Sequence, residues 1–310
     1  MLFRLTDNVF VQDDAGASAQ QVNWSTASAA PAADPRALTH AIQFFKSDAA
    51  GQRVQDITAA SVRRAKSRST VPVQLLAVPL EGEPDCVPEG FTATRPLRRT
   101  IADVRQFDVT RRLPLLFDIL DHAAARSDPA GYLIFTNSDI CLTADFYDSV
   151  RALLLAGFDA LVINRRTVSD IQEYGDNPGL AAHDVGEKHK GLDCFIFPTA
   201  WVRTFFKTES CAGIAGVMRP LLYNLVARAD RLLFAKAAHL TYHYGNDKNW
   251  RSSAFGEYTR HNFAQAGLML ESLSLSRAGQ QFEKLQRFCV LHGELAGSGP
   301  DPGSGPSRSE

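Results

Sequence analysis

The sequence predicts an α/β protein: a single sandwich of helices around a mostly parallel sheet. Three observations carry that expectation. Short apolar runs alternate with helical patterns along most of the chain. Tyr132-Leu-Ile-Phe-Thr136 reads as a buried strand running straight into the polar triplet Asn137-Ser138-Asp139. Finally, no P-loop, no Gly-x-Gly-x-x-Gly at a strand–helix junction and no Gly-x-Ser-x-Gly occurs, which removes the common competitors for such a sheet.

Composition sets the outer limits. The 310 residues are 45% hydrophobic and 22% charged, with a formal net charge of -1. That suits an ordinary soluble domain and gives no support to nucleic-acid binding. No apolar run approaches the roughly 20 residues needed to span a bilayer. The N-terminus lacks a charged-then-apolar leader pattern. Five cysteines are scattered, odd in number and never spaced C-x-x-C, so neither a disulfide framework nor a zinc site is expected. These features together predict a reduced, cytoplasmic protein.

Taken in order, residues 1–37 are rich in Ala, Ser, Gln and Asp and are expected to form a flexible arm. The folded domain is expected over 38–295, with 296–310, a Gly/Ser/Pro tail, disordered. Ala41-Ile-Gln-Phe-Phe45 is the first predicted strand, and Lys46 to Gly51 is its polar exit loop. A helix follows with Val54, Ile57, Ser61 and Val62 on one face, and basic residues at its end suit the helix dipole. Val73–Val78 is the second strand, completing a β-α-β unit with a right-handed crossover. Pro84 and Pro88 break the next stretch. Leu115, Leu116, Ile119, Leu120 and Ala123 then share a helical face leading to the strand at 132. Phe146, Val150 and Leu153 mark another helix, and Asp159–Ile163 another strand, which ends at Asn164-Arg165-Arg166.

Beyond that point the alternation breaks. Thr167 to Gly191 is a long polar stretch, and a loop of that length in a compact domain is usually functional or mobile. Cys194–Phe197 is a short strand stopped by Pro198. Ile214 to Val226 carry the strongest amphipathic pattern, with Pro220 expected to kink or restart the helix. Ala238–His243 reads as a late strand, followed by the polar loop Tyr244–Arg251, and a last helix is expected over Ser276–Leu291.

In open α/β sheets ligands sit beyond the carboxyl ends of the strands. Asn137, Ser138 and Asp139 therefore face a ligand, and short oxygen-bearing side chains there suit a hard divalent cation shared with a phosphate. The ordered series of β-α-β unit, strand ending in Asn-Ser-Asp, Gly191-Leu192-Asp193 segment, long helix and late His243 resembles the GT-A fold of nucleotide-sugar-dependent glycosyltransferases. The likeness covers roughly residues 38–250. It implies a GT-A-like α/β/α sandwich that moves a sugar from a nucleoside-diphosphate donor to a hydroxyl acceptor.

On that resemblance, Asn137-Ser138-Asp139 stands where the family has Asp-x-Asp. Asp139 and His243 are the implied ligands of Mn²⁺ or Mg²⁺. Asn137 offers a carbonyl oxygen but no charge, so cation affinity falls. Asp193 is the implied catalytic base, with Asp184, Glu187 and His189 as competitors. Read on its spacing alone, His189, like His183, suits a polar surface loop. Phe45, Lys46 and Ser47 are expected to meet the nucleotide. Arg112, beside Arg111, and Lys248 are expected near the diphosphate. Arg165, beside Arg166, is expected to meet the donor sugar or the acceptor. Two other readings compete: a GT-A-like module that binds a nucleotide or glycan without catalysis, and a sugar-phosphate nucleotidyltransferase. The latter normally has a Gly-rich basic loop after the first strand, which Lys46-Ser-Asp-Ala-Ala-Gly51 matches poorly.

Overall fold

A computed structural model describes residues 1–13, 37–174, 178–189, 191–245, 253–275 and 279–292. Its strands, in chain order, are β1 (Leu2–Arg4), β2 (Val9–Gln12), β3 (Leu38–Ile42), β4 (Val73–Ala77), β5 (Thr92–Ala93), β6 (Tyr132–Thr136) and β7 (Cys141–Leu142). They continue as β8 (Ala160–Ile163), β9 (Arg166–Val168), β10 (Glu187–Lys188), β11 (Cys194–Pro198), β12 (Leu232–Ala235) and β13 (Thr241–Tyr244). The main helices are α1 (Ala49–Arg68), α2 (Leu116–Ala124), α3 (Phe146–Leu155), α4 (Arg219–Arg228), α5 (Gly256–Leu275) and α6 (Gly279–His292).

Nine strands form one sheet in the order β1-β2-β12-β8-β11-β6-β3-β4-β5. Most neighbours run parallel; β11 runs antiparallel to both β6 and β8. The expected α/β sandwich with a mostly parallel sheet is borne out. The pleat sends alternate side chains to two cores. Leu133, Phe135, Phe195 and Phe197 meet the α2 and α4 side. Ile134, Cys194 and Ile196 meet α1 and α3 through Ala59, Val62, Phe146, Tyr147 and Val150. A smaller sheet, β10-β9-β13-β7, sits beside the ends of these strands. α1 anchors it: the Ser61 hydroxyl accepts from Leu142 N at 3.1 Å, and Thr58 lies 3.7 Å from the Cys141 thiol.

Several elements differ from expectation. Residues 1–13 are no free arm: β1 and β2 pair as a hairpin, and β2 runs parallel to β12. Val9, Phe10 and Val11 are buried there, a contact with residues over two hundred positions away that local composition does not announce. Residues 14–36 and the predicted tail lie outside the described residues. The first strand of the domain ends at Ile42, three residues earlier than expected, and leaves Phe45 in the exit loop. Pro220 restarts a helix: it sits in the first turn of α4, where its missing N–H costs nothing. Strand β12 and helix α5 are additional to the elements read from the sequence.

Candidate active site

Four of the candidate residues, Asp139, Arg165, Asp193 and His243, stand where β6, β8, β11 and β13 reach one rim. β11 enters that rim antiparallel, with Cys194 opposite both Thr136 of β6 and Ile163 of β8. The residue before β11, Asp193, therefore lands between the two segments that leave β6 and β8. Those segments carry Asn137-Ser138-Asp139 and Asn164-Arg165.

Asp139 meets His243, which arrives on β13: carboxylate Oδ2 and imidazole Nε2 are 3.3 Å apart. The other ring nitrogen, Nδ1, is 3.0 Å from the Gly245 carbonyl, which can only accept. Nδ1 thus carries a proton, and a second proton on Nε2 is what lets that nitrogen face a carboxylate. Burial opposes the charge on His243, but the Asp139 hydrogen bond and charge outweigh it and raise its pKa. For Asp139, burial pushes upward, yet the hydrogen bond and charge from His243, with the more distant Arg165 charge, lower the pKa. Each partner thus favours the ionised form of the other. Asp139 Oδ1 is buried with no hydrogen-bond partner.

Asp193 and Arg165 form the second pair, Oδ1 to Nη1 at 3.2 Å, with side chains only 7% and 9% exposed. Asp193 Oδ2 is buried and has no hydrogen bond, and His189 Nδ1 stands 3.6 Å from it. His189 is oriented by Gly191 N, which donates to Nδ1 at 2.9 Å. Asn164 holds the same segment by donating to the His189 carbonyl at 3.0 Å. The structure therefore corrects the surface-loop reading of His189: the ring sits against the second carboxylate. Asn164 was missed altogether; its one signal was the position directly after a buried strand.

Arg165, expected to meet the donor sugar or the acceptor, has its guanidinium tied to Asp193 through Nη1. Ser138 is buried and Asn137 half-buried, both leaving β6 beside Asp139. Phe45, Lys46 and Ser47 occupy a neighbouring stretch of the rim, because β3 runs parallel beside β6. The Gln55 side chain brackets Phe45, accepting from its N–H at 3.1 Å and donating to its carbonyl at 2.9 Å. Glu83 accepts from Lys46 N at 3.1 Å. Phe45 exposes 42% of its surface, an open aromatic face suited to a flat base. Arg112 donates to the Glu81 carbonyl at 3.3 Å; no hydrogen bond among the described residues links it, or the Phe45 loop, to Asp139. Arg111 stacks its guanidinium over Phe255 at 4.5 Å. Lys248 lies outside the described residues.

Asp139 and His243 fit a divalent cation as far as donor chemistry goes. They juxtapose a carboxylate, whose Oδ1 has no partner, with an imidazole nitrogen that binds metal once deprotonated. Among the described residues no three His, Cys, Asp or Glu side chains form a metal-holding group. A cation here needs further oxygens from substrate or water.

No family model matches the sequence, and no curated protein does. Among solved structures, the chain is similar to S. aureus TarS 1–349 in complex with UDP-GlcNAc. The identity is 13%, covering 82% of this chain and 72% of that one, with a TM-score of 0.44. It is also similar to the catalytic domain of Drosophila β1,4-galactosyltransferase 7 complexed with xylobiose, at 8% identity, 74% and 80% coverage and a TM-score of 0.42. A third is the galactosyltransferase LgtC with donor and acceptor sugar analogues, at 6% identity, 74% and 96% coverage and a TM-score of 0.36. No described helix is long and apolar enough to cross a membrane.

Proposed function

We propose that the chain is a glycosyltransferase moving a sugar from a nucleoside-diphosphate donor to a hydroxyl acceptor. One observation carries the reading: two residues 104 positions apart, Asp139 and His243, meet at 3.3 Å on the rim where the buried Asp193–Arg165 pair also stands. Acid and base groups so gathered at the strand ends are what a transfer to a hydroxyl needs.

The steps follow from the groups present. The Phe45 loop receives the base. Asp139 and His243 would hold a divalent ion, Mn²⁺ or Mg²⁺, and that ion would supply positive charge to the leaving diphosphate. Asp193 Oδ2, the oxygen not used by Arg165, accepts the proton of the acceptor hydroxyl. The acceptor oxygen forms its bond to the anomeric carbon in line with the departing diphosphate, which leaves with the electron pair of the broken C–O bond. Arg165 fixes the Asp193 carboxylate, so the free oxygen keeps one direction. His189 stands beside it as a second polar contact for the acceptor.

A binding module without catalysis is the second reading, favoured by Asn137 and by the engagement of Asp193 with a guanidinium. Two measurements are needed, and the second separates them. In a thermal-shift screen, nucleoside diphosphates with Mn²⁺ raise the melting temperature under either reading, since a ligand of the native state stabilises it. Donor hydrolysis then decides: the transferase turns donor over, and Asp139→Ala abolishes turnover while the far-UV spectrum stays unchanged. Full turnover in Asp139→Ala refutes the site.

A further inference from the structure

His189 lies beside a buried carboxylate, yet is itself open to solvent: its side chain is 27% exposed, against 7% for Asp193. Its backbone is fixed twice. The N–H donates to the Arg165 carbonyl at 3.3 Å, and the His189 carbonyl accepts from Asn164 at 3.0 Å. Gly191 then makes room for the ring, since a Cβ there would lie 2.5 Å from Cε1 and 2.6 Å from Nδ1. Any larger residue would displace the imidazole, so the segment Gly191-Leu192-Asp193 builds its place.

Both neutral forms of this ring find partners. Nδ1 accepts from Gly191 N at 2.9 Å, which puts the proton of the neutral ring on Nε2. In the other tautomer Nδ1–H faces Asp193 Oδ2, 3.6 Å away, and Nε2 accepts from Arg165 Nη2 at 3.5 Å. The 2.9 Å contact is the tighter, so the Nε2–H form predominates at rest. An imidazole so placed can take a proton at one nitrogen and lose one from the other. The charged groups around it are Arg165 after β8, Asp193 before β11, and on β10 the exposed Glu187 and Lys188, the latter bound to Asp13 at 2.6 Å.

Asp193 is the residue that needs such a neighbour. Under the transferase reading its Oδ2 gains the acceptor's proton once per turnover. That oxygen is buried without a hydrogen-bond partner, and Oδ1 is held by Arg165. A proton left on a buried oxygen cannot pass straight to bulk water, and the carboxylate cannot act again until the proton has gone. Free imidazole is a stronger base than a free carboxylate, so passage to Nδ1 runs downhill.

We propose that His189 is the proton exit of this site. The proton on Asp193 Oδ2 passes to Nδ1 while the Nε2 proton leaves to water, so the carboxylate is restored and the ring ends neutral. Water then exchanges the two tautomers and resets the ring. This role rests on the transferase reading and adds to it the residue that completes each turnover.

The test is hydrolysis of a panel of uridine- and guanosine-diphosphate sugars with Mn²⁺, water serving as acceptor, by the full-length protein in weakly buffered solution. Wild type, His189→Ala and His189→Asn are compared with and without added imidazole. Turnover should fall about a hundredfold in both variants, the low end of what a placed proton-transfer group contributes. Imidazole should restore most of it in His189→Ala, where the space of the ring is vacant, and little in His189→Asn, where it is filled. A ring that only props the segment gives no such rescue. Nitrogen NMR, which needs no activity, should show both tautomers of His189 in exchange in wild type and Nε2–H alone in Asp193→Asn. That measurement serves if a His189 variant does not fold. Wild-type turnover in both His189 variants, a loss that imidazole does not restore, or the same His189 nitrogen signals in wild type and Asp193→Asn overturns the proton exit and leaves the transferase reading standing. Absence of turnover in wild type overturns that reading, and the role of His189 with it.

Discussion

Replacing Arg165 by Met isolates the most deeply buried charge pair of the site. The change keeps much of the side-chain length and removes the guanidinium 3.2 Å from Asp193. Asp193 Oδ2 has no hydrogen bond already, so the substitution strips the carboxylate of its one strong partner. Breaking a buried pair from one side costs about 3–5 kcal/mol, because the remaining charge stays buried. An exposed pair such as Arg98–Glu81, with side chains 84% and 55% exposed, is worth about 0–1 kcal/mol and serves as the control.

Urea denaturation of wild type, Arg165→Met, Asp193→Leu and the double variant gives the coupling directly. Each single change should cost several kcal/mol, and the melting temperature should fall by on the order of 10 °C. The double variant should recover most of the loss, since an apolar pair of similar volume replaces a buried ion pair at little cost. Turnover should vanish in all three, so stability is the discriminating readout. A single-variant loss under about 1 kcal/mol, or simple additivity in the double, would show that the pair is well solvated and that Arg165 does not hold the base.

Three further outcomes follow from other residues. In chelated buffer the Asp139–His243 pair should stabilise most between about pH 4 and pH 6.5. The raised His243 pKa makes its contribution full below 6.5 and lost as pH rises through the folded value. The lowered Asp139 pKa makes its contribution present above 3.8 and lost as pH falls through the folded value. His243→Gln should erase the alkaline decline in a pH series of urea melts. His40 acts with the opposite sign: fully buried between Tyr147 and Thr136, it has its pKa lowered from 6.5 to about 3 by burial. The unfolded chain takes up that proton first, so stability falls by about 1.4 kcal/mol per unit as pH drops from 6.5 toward 3, and His40→Gln should flatten this limb. Gly186 has φ +55°, and an added Cβ would lie 2.5 Å from the Thr167 carbonyl. Gly186→Ala should cost about 1–3 kcal/mol by prising β10 from β9, as chemical denaturation would show.

What the sequence made legible was local. Tyr132–Thr136 showed itself as a buried strand through composition, and the α2 face through its spacing; both stand where expected. Pro220 punctuated the right point. The hairpin of β1 and β2 was invisible because its partner, β12, lies far downstream, and a three- or four-residue strand has too short a pattern to register alone. His189 stands in the sequence as one of three competitors to Asp193 in a long polar loop, with nothing in its spacing to choose it. Its position is fixed by Gly191 N and by Asn164, neither of which has a motif.

Asp193 shows best where sequence reading stops. Its residue type and its place before a short strand suggested a base only through the family resemblance, because periodicity does not reveal a strand's direction. The direction decides everything. Since β11 runs antiparallel between β6 and β8, the residue preceding it shares a rim with the residues that follow those two strands. Were β11 parallel, its first residue would lie at the other end of a five-residue strand, about 17 Å away, facing neither Asp139 nor Arg165. One reversed strand thus sets Asp193 beside Arg165, on the rim where β13 separately brings His243 to Asp139. The Arg165–Asp193 coupling energy is therefore also a probe of that topology, since the antiparallel course of β11 is what sets the two charges in contact here.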